Sequence, residues 1–206
     1  HTLLQADGAL PIFLHITNGK VHDAKAAREI PVPKGSFLAI DRGYHDFIQY
    51  NEYNNNDIRF VTRMKTNAAY DVVIDRPVDQ STGILSDEII QFRNAVTRNK
   101  YPHQLRKVTY CDPESGKKFV FLTNEFELDA IMIAHIYKAR WEIELFFKAI
   151  KQHLKIKSFI GTSENAVMTQ IFVAMIAFLL ISYYQFNLTS RFSFQALCRL
   201  IQINFF

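Results

Sequence analysis

One acidic residue, Glu144, lies in a stretch that is otherwise basic on one side. If residues 137–155 (YKARWEIELFFKAIKQHLK) form a helix, about 100° of turn per residue places Glu144 on one face with Tyr137, Arg140, Trp141, Lys148, Lys151 and Lys155. A merely solvated helix face usually mixes Glu and Lys freely. A single carboxylate among cations instead indicates a group that holds a metal ion while the cations hold phosphate.

A second carboxylate, Asp41, follows the short apolar run 36–40 (SFLAI), which predicts a buried central strand. An Asp at the carboxyl end of such a strand points into the crevice where open sheets bind ligands. The alternative is a strand-end turn residue, because Arg42 and Gly43 follow it. Hard divalent cations prefer carboxylate oxygens, and two-metal phosphoryl transfer takes them from separate elements. Asp41 and Glu144 together therefore predict such a site better than either residue alone.

The helix that must position Glu144 is predicted over Tyr137–Lys155, because the stretch has strong helix formers and no Gly or Pro. Beside the basic face lies an apolar face that should seek the core. We expect Trp141 to pack against the sheet. The apolar face consists of Ile136, Ala139, Ile143, Phe146, Phe147, Ile150 and Leu154.

The elements before residue 66 alternate in type. Asp7-Gly8 predicts a hairpin turn, since both positions of a type I′ turn need positive φ. Asp23 is a candidate N-cap of the first helix. The predicted order is a strand over 1–6, a strand over 9–17, a helix over 23–30, a strand over 36–40, a helix over 45–53 and a strand over 58–65.

The segment 66–124 consists of short β-favouring runs separated by Pro and Gly. Asp112–Gly116 predicts a hairpin loop between two of its strands. We expect its many cations to lie on a solvated β surface: Arg63, Lys65, Arg93, Arg98, Lys100, Arg106, Lys107, Lys117 and Lys118.

The last part of the chain is predicted to be helical. Asn124, with Glu127 three residues later, resembles a capping box. The run 171–184 (IFVAMIAFLLISYY) is shorter than the ~20 residues of a membrane span. We therefore expect a buried helix over 165–184 and no membrane partner. A last short helix is predicted over 192–203.

Composition sets further limits. Of 206 residues, 49% are hydrophobic and 14% aromatic, which supports a packed core and argues against disorder. The formal net charge of +4 is compatible with nucleic acid but does not establish it. The two cysteines, Cys111 and Cys198, form no CxxC or Cys/His cluster, so neither a zinc site nor a disulfide is expected.

The spacing Tyr137-x2-Arg140-x3-Glu144-x6-Lys151 matches the YREK signature of bacterial insertion-sequence transposases. These are the DDE enzymes of the insertion-sequence-four type. Asp41-Arg42-Gly43-Tyr44 resembles the second-aspartate motif of the same family. Residues 60–65 and 122–124 are also similar to family segments, so the resemblance covers nearly the whole chain.

The resemblance implies an α/β fold: an RNase H-like mixed sheet flanked by helices, with a β-rich insertion before the glutamate-bearing helix. It implies a first core part over 1–65, the insertion over 66–124, and a second, helical core part over 125–206. In that fold the first strand carries the first catalytic Asp and a hairpin follows. Neither Asp7 nor Asp23 matches that Asp, so the resemblance implies that the first strand and its Asp are absent from this sequence.

The resemblance also implies a reaction. Asp41, Glu144 and the first Asp would hold two Mg²⁺ ions, or Mn²⁺, for nicking at a transposon end and strand transfer into target DNA. Tyr137, Arg140 and Lys151 match positions that grip DNA phosphates, and Arg42 and Lys148 join them as predicted DNA contacts. The implied partners are double-stranded DNA and a second copy in a synaptic complex. The implied location is the bacterial cytoplasm, at the nucleoid when DNA is bound.

Two alternatives stay open at this point. The chain could derive from an inactive, truncated transposase that only binds DNA. It could also belong to another RNase H-like nuclease, one that hydrolyses DNA without joining ends. Because it would lack the first Asp, the isolated 206-residue chain is expected to be inactive.

Overall fold

A computed structural model describes residues 1–6, 9–17, 21–154, 159–188 and 192–205. They form two compact units. The first consists of His1 and Thr17–Arg140, and the second of Thr2–Ile16 and Trp141–Phe206. A six-stranded mixed sheet flanked by helices confirms the predicted α/β, RNase H-like class. The three-part division at residues 65 and 124 stays a prediction.

The elements follow the predicted order closely. The strands are β1 (Thr2–Gln5), β2 (Leu10–Leu14), β3 (Phe37–Ile40), β4 (Arg59–Arg63), β5 (Tyr70–Arg76), β6 (Ile84–Phe92), β7 (Leu105–Cys111) and β8 (Lys118–Thr123). The helices are α1 (Asp23–Ala27), α2 (Phe47–Asn55), α3 (Ala95–Lys100), α4 (Ala130–Ala139), α5 (Trp141–His153), α6 (Glu164–Asn187) and α7 (Phe194–Phe205).

The first unit is built on one sheet with the strand order β3-β4-β8-β7-β6-β5. Only β3 and β4 are parallel, with Ile40 opposite Thr62. The other neighbours are antiparallel. The strands of the β-rich segment thus continue the sheet that β3 and β4 begin, and the predicted hairpin loop at 112–116 is confirmed between β7 and β8.

Both faces of this sheet are covered within the first unit. Tyr50 of α2 stacks on Phe60 of β4, with ring centroids 4.5 Å apart and an interplanar angle of 20°. The next residue along the strand, Val61, belongs to the cluster on the other face with Ile133 and Tyr137 of α4. This is the expected consequence of alternation along a strand, and it fixes β4 between two layers of helix.

One histidine lies in the core under α2. The ring of His45 lies 4.7 Å from that of Phe47 and 5.3 Å from that of Tyr50. Burial, helped by the charge of Lys65, lowers the pKa of His45 to about 4. The native protein therefore keeps this imidazole neutral at pH values where an unfolded chain would protonate it.

This lowered pKa predicts a loss of stability in mild acid. Below about pH 6.5 His45 is protonated in the unfolded chain but stays neutral in the native protein. The free energy of unfolding therefore falls as pH drops toward 4. His45→Phe should reduce that fall by up to about 3 kcal/mol, since each pKa unit is worth about 1.4 kcal/mol. Urea unfolding of both proteins at pH 7 and pH 4.5 measures the difference. An equal loss of unfolding free energy between pH 7 and pH 4.5 in both proteins would show that His45 is not responsible for the acid sensitivity.

The predicted continuous helix over Tyr137–Lys155 is wrong. The chain forms two helices, α4 and α5, with Arg140 between them. The Arg140 N–H donates to the carbonyl of Tyr137, 3.1 Å away, so the last turn of α4 tightens before α5 begins. No Gly or Pro marks the break, which is why helix propensity did not reveal it. Lys155 lies outside the described residues.

Two predicted helix starts are also wrong. Asn124 does not cap a helix: its Oδ1 accepts from the Phe60 N–H at 2.8 Å and its Nδ2 donates to the Ile58 carbonyl at 3.0 Å. This buried amide links the end of β8 to the start of β4. Helix α4 starts later, after Asp129. In α1 the N-cap is His22, and Asp23 is the first helical residue.

Two of the nine cations expected on a solvated surface are buried instead. Arg106 is 1% exposed and donates to both carboxylate oxygens of Asp87, each at 2.8 Å. Lys107 donates to Glu88 at 2.7 Å. Both cations face acids on β6, the neighbouring strand. Cross-strand pairing of this kind does not show in a single strand read alone.

The second unit packs a hairpin against helices. β1 and β2 pair antiparallel, with Gln5 opposite Leu10, as predicted; the turn at Asp7-Gly8 lies outside the described residues. Leu4, Leu10 and Leu14 pack against a buried cluster of α5 and α6. That cluster consists of Phe146, Ile150, Met175 and Phe178.

The prediction that the apolar helix over 165–184 is buried is wrong. Only one stripe of α6 is buried, formed by Ala174, Met175, Phe178 and Ile181. In the most apolar 18-residue window of this helix, only 22% of the window is buried within the protein. By length and composition alone this helix could cross a membrane, contrary to the estimate from the shorter run, but one such helix is weak evidence.

Candidate functional site

Asp41 directly follows β3 and is the N-cap of a one-turn 3-10 helix over Arg42–Tyr44. Its Oδ1 accepts from the Gly43 N–H at 2.9 Å, which holds the turn. Among the described strands β3 is one of the two edge strands of the sheet, so the expectation of a central strand is wrong. The side chain of Asp41 is 50% exposed, and it can therefore reach a ligand at the end of the strand.

The second oxygen of Asp41 faces an arginine. Oδ2 of Asp41 and Nη1 of Arg140 are 3.3 Å apart, and the Arg140 side chain is only 19% exposed. The guanidinium carbon lies 5.6 Å from the centroid of the Tyr137 ring, a distance at which a cation is attracted to the ring face. The structure thus brings together three residues of the two family motifs.

Tyr137 was predicted to lie on an exposed basic face, and this is wrong. It is 7% exposed, and its ring lies 5.0 Å from that of Phe121 in the core. Burial raises the pKa of its hydroxyl, and nearby Arg140 opposes that rise. Tyr137 therefore packs against the guanidinium of Arg140. Its role as a DNA contact stays a prediction.

Side chains from other parts of the first unit contact the turn after β3 or lie close to it. His1 contacts the Tyr44 hydroxyl through Nδ1 at 2.9 Å and the Thr17 hydroxyl through Nε2 at 3.0 Å. A Cβ at Gly43 would lie 3.1 Å from Oδ2 of Asp23 and 3.5 Å from Oδ1 of Asp41. Burial raises the pKa of Tyr44, and the charges of Asp23 and Asp41 add to the effect. These groups hold the turn closely around its glycine.

In the second unit, α5 carries the remaining predicted site residues. Glu144, Lys148 and Lys151 are exposed, and their spacing places them on one face of this helix. The opposite side buries Phe146 and Ile150, which confirms the predicted apolar face. Trp141 is 54% exposed, and its packing against the sheet stays a prediction.

The donor chemistry around Asp41 suits a hard divalent cation. A carboxylate at a strand end, half exposed and already facing a cation, has the oxygen ligands that Mg²⁺ prefers. Within the part of the chain that the structure describes, no group of three or more His, Cys, Asp or Glu side chains is gathered closely enough to hold a metal ion. The residues therefore fit one part of a metal site.

The neighbours of Asp41 were not predicted from the sequence. Arg140 was expected to contact DNA and Asp23 to cap a helix, and no role was expected for His1 or Tyr44. The ion pair between Arg140 and Asp41 joins residues almost a hundred positions apart in the sequence. No local pattern contains that information, although an Arg next to the Glu144 motif was a signal that some acid or phosphate lies within reach.

Comparison with known proteins identifies the family of this chain. A family model described as the transposase DDE domain matches residues 1–180. A Sinorhizobium fredii protein named as the transposase y4zB is 36% identical over 185 residues, covering 88% of this chain and 51% of that protein. A Geobacillus stearothermophilus protein named as a transposase for insertion sequence element IS5377 is 29% identical, covering 89% of this chain and 48% of that protein.

A third relative is a Synechocystis protein named as a transposase for insertion sequence element IS4SA. It is 29% identical over 175 residues, which cover 82% of this chain and 47% of that protein. The chain thus spans about half the length of each of these relatives. The family match and the placement of the aspartate motif lead to one conclusion: this chain belongs to the transposase DDE-domain family.

Proposed function

We propose that the full gene product is a Mg²⁺-dependent transposase that cleaves transposon-end DNA and joins the freed 3′ end to target DNA. The observation that carries the proposal is the placement of Asp41 at the carboxyl end of β3, half exposed and opposite Arg140. Family membership supplies the reaction class. The names of the relatives agree, since two of them are named as transposases for insertion sequence elements.

We assign the metal-binding roles to Asp41 and Glu144, together with a third carboxylate supplied from outside these 206 residues, as the resemblance to DDE transposases implies. Mg²⁺ or Mn²⁺ bound there would supply an activated water or 3′-hydroxyl and would neutralise charge on the leaving oxygen. Asp41 is held ready by the Gly43 N–H. Glu144 is carried by α5, whose buried face fixes the helix within its own unit.

The cations have a separate role, which is to hold DNA phosphates. Arg140 can grip a phosphate with two parallel hydrogen bonds, and Lys148 and Lys151 act as point charges on the exposed face of α5. Arg42 is exposed directly after Asp41 and would contact the strand next to the cut. We propose double-stranded DNA as substrate, a second copy in the synaptic complex, and action in the cytoplasm at the nucleoid.

Lys151→Ala is expected to weaken DNA binding. The loss of one phosphate contact should lower the slope of log affinity against log salt by about one. Fluorescence anisotropy with a labelled duplex at a series of salt concentrations measures this slope. Lys34→Ala, at an exposed lysine outside the predicted DNA-binding set, is the control and should leave the slope unchanged. Equal slopes for both variants would contradict the role of Lys151.

Strand transfer separates the proposal from its main alternative. The full gene product should join a 3′-hydroxyl transposon end to a target plasmid when Mg²⁺ is present. Hydrolysis of DNA without any joining would favour an RNase H-like nuclease. DNA binding without cleavage would favour an inactive, truncated transposase. Efficient nicking by the 206-residue chain alone would overturn the claim that a third carboxylate from elsewhere is needed.

A further inference from the structure

The ion pair between Arg140 and Asp41 joins two residues to which the proposed function gives different partners. Asp41 is assigned to metal and Arg140 to DNA phosphate, yet here they bind each other, with Nη1 and Oδ2 3.3 Å apart. A carboxylate oxygen cannot serve the guanidinium and a divalent cation equally well, because the two positive charges would repel at such short range. The two proposed roles are therefore linked.

The surroundings of Arg140 determine which partner can move. Its side chain is 19% exposed and its guanidinium lies against the Tyr137 ring, which itself packs on Phe121. A cation so far removed from water needs an anion nearby. Asp41, by contrast, has its other oxygen fixed by the Gly43 N–H, so its position does not depend on Arg140 alone.

We propose that Arg140 is a switch residue: it neutralises Asp41 in the metal-free protein and turns to a DNA phosphate when a divalent cation takes Asp41. Metal binding and DNA binding then favour each other, because each frees the group that the other needs. The coupling is reciprocal, as for any two linked binding events. This inference rests on the proposed function and adds to it a coupling between metal binding and DNA binding.

The pair has a limited strength, which sets the expected effect. Ion pairs with an exposed partner contribute little, so releasing Arg140 should raise DNA affinity by about two- to fivefold. Asp41→Asn should release Arg140 from its ion pair even when no metal is present. Its side-chain oxygen can still accept from the Gly43 N–H, so the turn is kept, while the charge that holds Arg140 is gone.

A double-mutant cycle tests the proposal. DNA affinity of the 206-residue chain is measured in EDTA, with a labelled duplex of arbitrary sequence, because phosphate contacts do not depend on sequence. The four proteins are wild type, Asp41→Asn, Arg140→Gln and the double variant. We expect Asp41→Asn to raise affinity in the wild-type background and to have a much smaller effect in Arg140→Gln.

Asp46→Asn is the matched control. Asp46 also caps a helix, through the Ile48 N–H, and also pairs with an arginine, Arg28. Its replacement removes the same charge and should leave DNA affinity nearly unchanged. Thermal melts of all variants establish that each is folded. In a second arm, which uses the full gene product, Mn²⁺ should raise the DNA affinity of wild type more than that of Arg140→Gln.

The results separate this inference from the function on which it rests. Asp41→Asn could raise DNA affinity equally in the wild-type and the Arg140→Gln backgrounds. If Lys151→Ala still weakened DNA binding, this result would overturn the switch and leave the proposed function standing. An equal gain from Asp46→Asn would also overturn it, because any lost negative charge would then suffice. A folded wild-type chain that does not bind duplex DNA would overturn the switch together with the DNA-contact roles proposed for Arg140 and Lys151.

Discussion

Replacing Glu144 with Gln in the full gene product is expected to lower Mg²⁺-dependent DNA cleavage by at least about a thousandfold, as when an essential catalytic group is removed. The change keeps the size of the side chain and removes the charge that a metal needs. Because Glu144 is exposed on α5 and the buried side of that helix is untouched, folding should be preserved. DNA binding should be equal to that of wild type or slightly tighter, since an acid has been removed beside Lys148 and Lys151.

The control for this prediction is Glu142→Gln, on the same turn of α5. Glu142 lies off the face that carries Glu144 and the lysines, and we expect cleavage within a few-fold of wild type. Cleavage is measured on a labelled transposon-end duplex, and binding on the same duplex in Ca²⁺. If Glu144→Gln abolished binding together with cleavage, Glu144 would have a structural role instead of a metal-binding one.

Arg106→Leu is expected to destabilise the first unit by about 3–5 kcal/mol, the cost of leaving a buried charge without its partner. Arg106 is fully buried and bonds both oxygens of Asp87, as well as the Leu128 carbonyl at 2.6 Å. Leucine would leave that carboxylate in the core. Arg76, whose Nε lies 3.7 Å from Asp87, offers partial compensation and favours the lower end of the range.

An exposed pair in the same sheet provides the matched control for Arg106. Arg93 and Asp71 are 2.7 Å apart, but their side chains are 64% and 60% exposed. Arg93→Leu should therefore cost no more than about 1 kcal/mol. Urea unfolding of both variants gives the free energies. Similar small losses for Arg106→Leu and Arg93→Leu would show that burial of the Arg106 pair adds nothing to stability.

The fold class followed from the sequence because its signals are local. Alternating element types before residue 66, turn residues at 112–116 and the apolar face of α5 each lie within a short window. The break at Arg140 could not be predicted this way, since residues 137–155 favour helix throughout. The tight turn at Arg140 lies where α4, packed on the sheet, ends.

The site was predicted in part for the same reason. Asp41 and Glu144 stand in recognisable motifs, but the ion pair between Asp41 and Arg140 depends on how β3 and α4 meet. The burial of Tyr137 likewise depends on Phe121 from a distant strand. α6 was expected to be buried because it is apolar all round, yet only one stripe of it finds partners within its unit.

The most direct test of the central claim is whether Asp41 and Glu144 bind the same metal centre. In this test the full gene product is loaded with Fe²⁺ in place of Mg²⁺, and ascorbate and peroxide then generate hydroxyl radicals that cleave the protein backbone next to the bound iron. We predict cuts near both Asp41 and Glu144, and the loss of both cuts in either Asp41→Asn or Glu144→Gln. Cuts near only one of the two residues would contradict a shared centre. Cuts near Asp41 that survive Glu144→Gln, or cuts near Glu144 that survive Asp41→Asn, would contradict it as well.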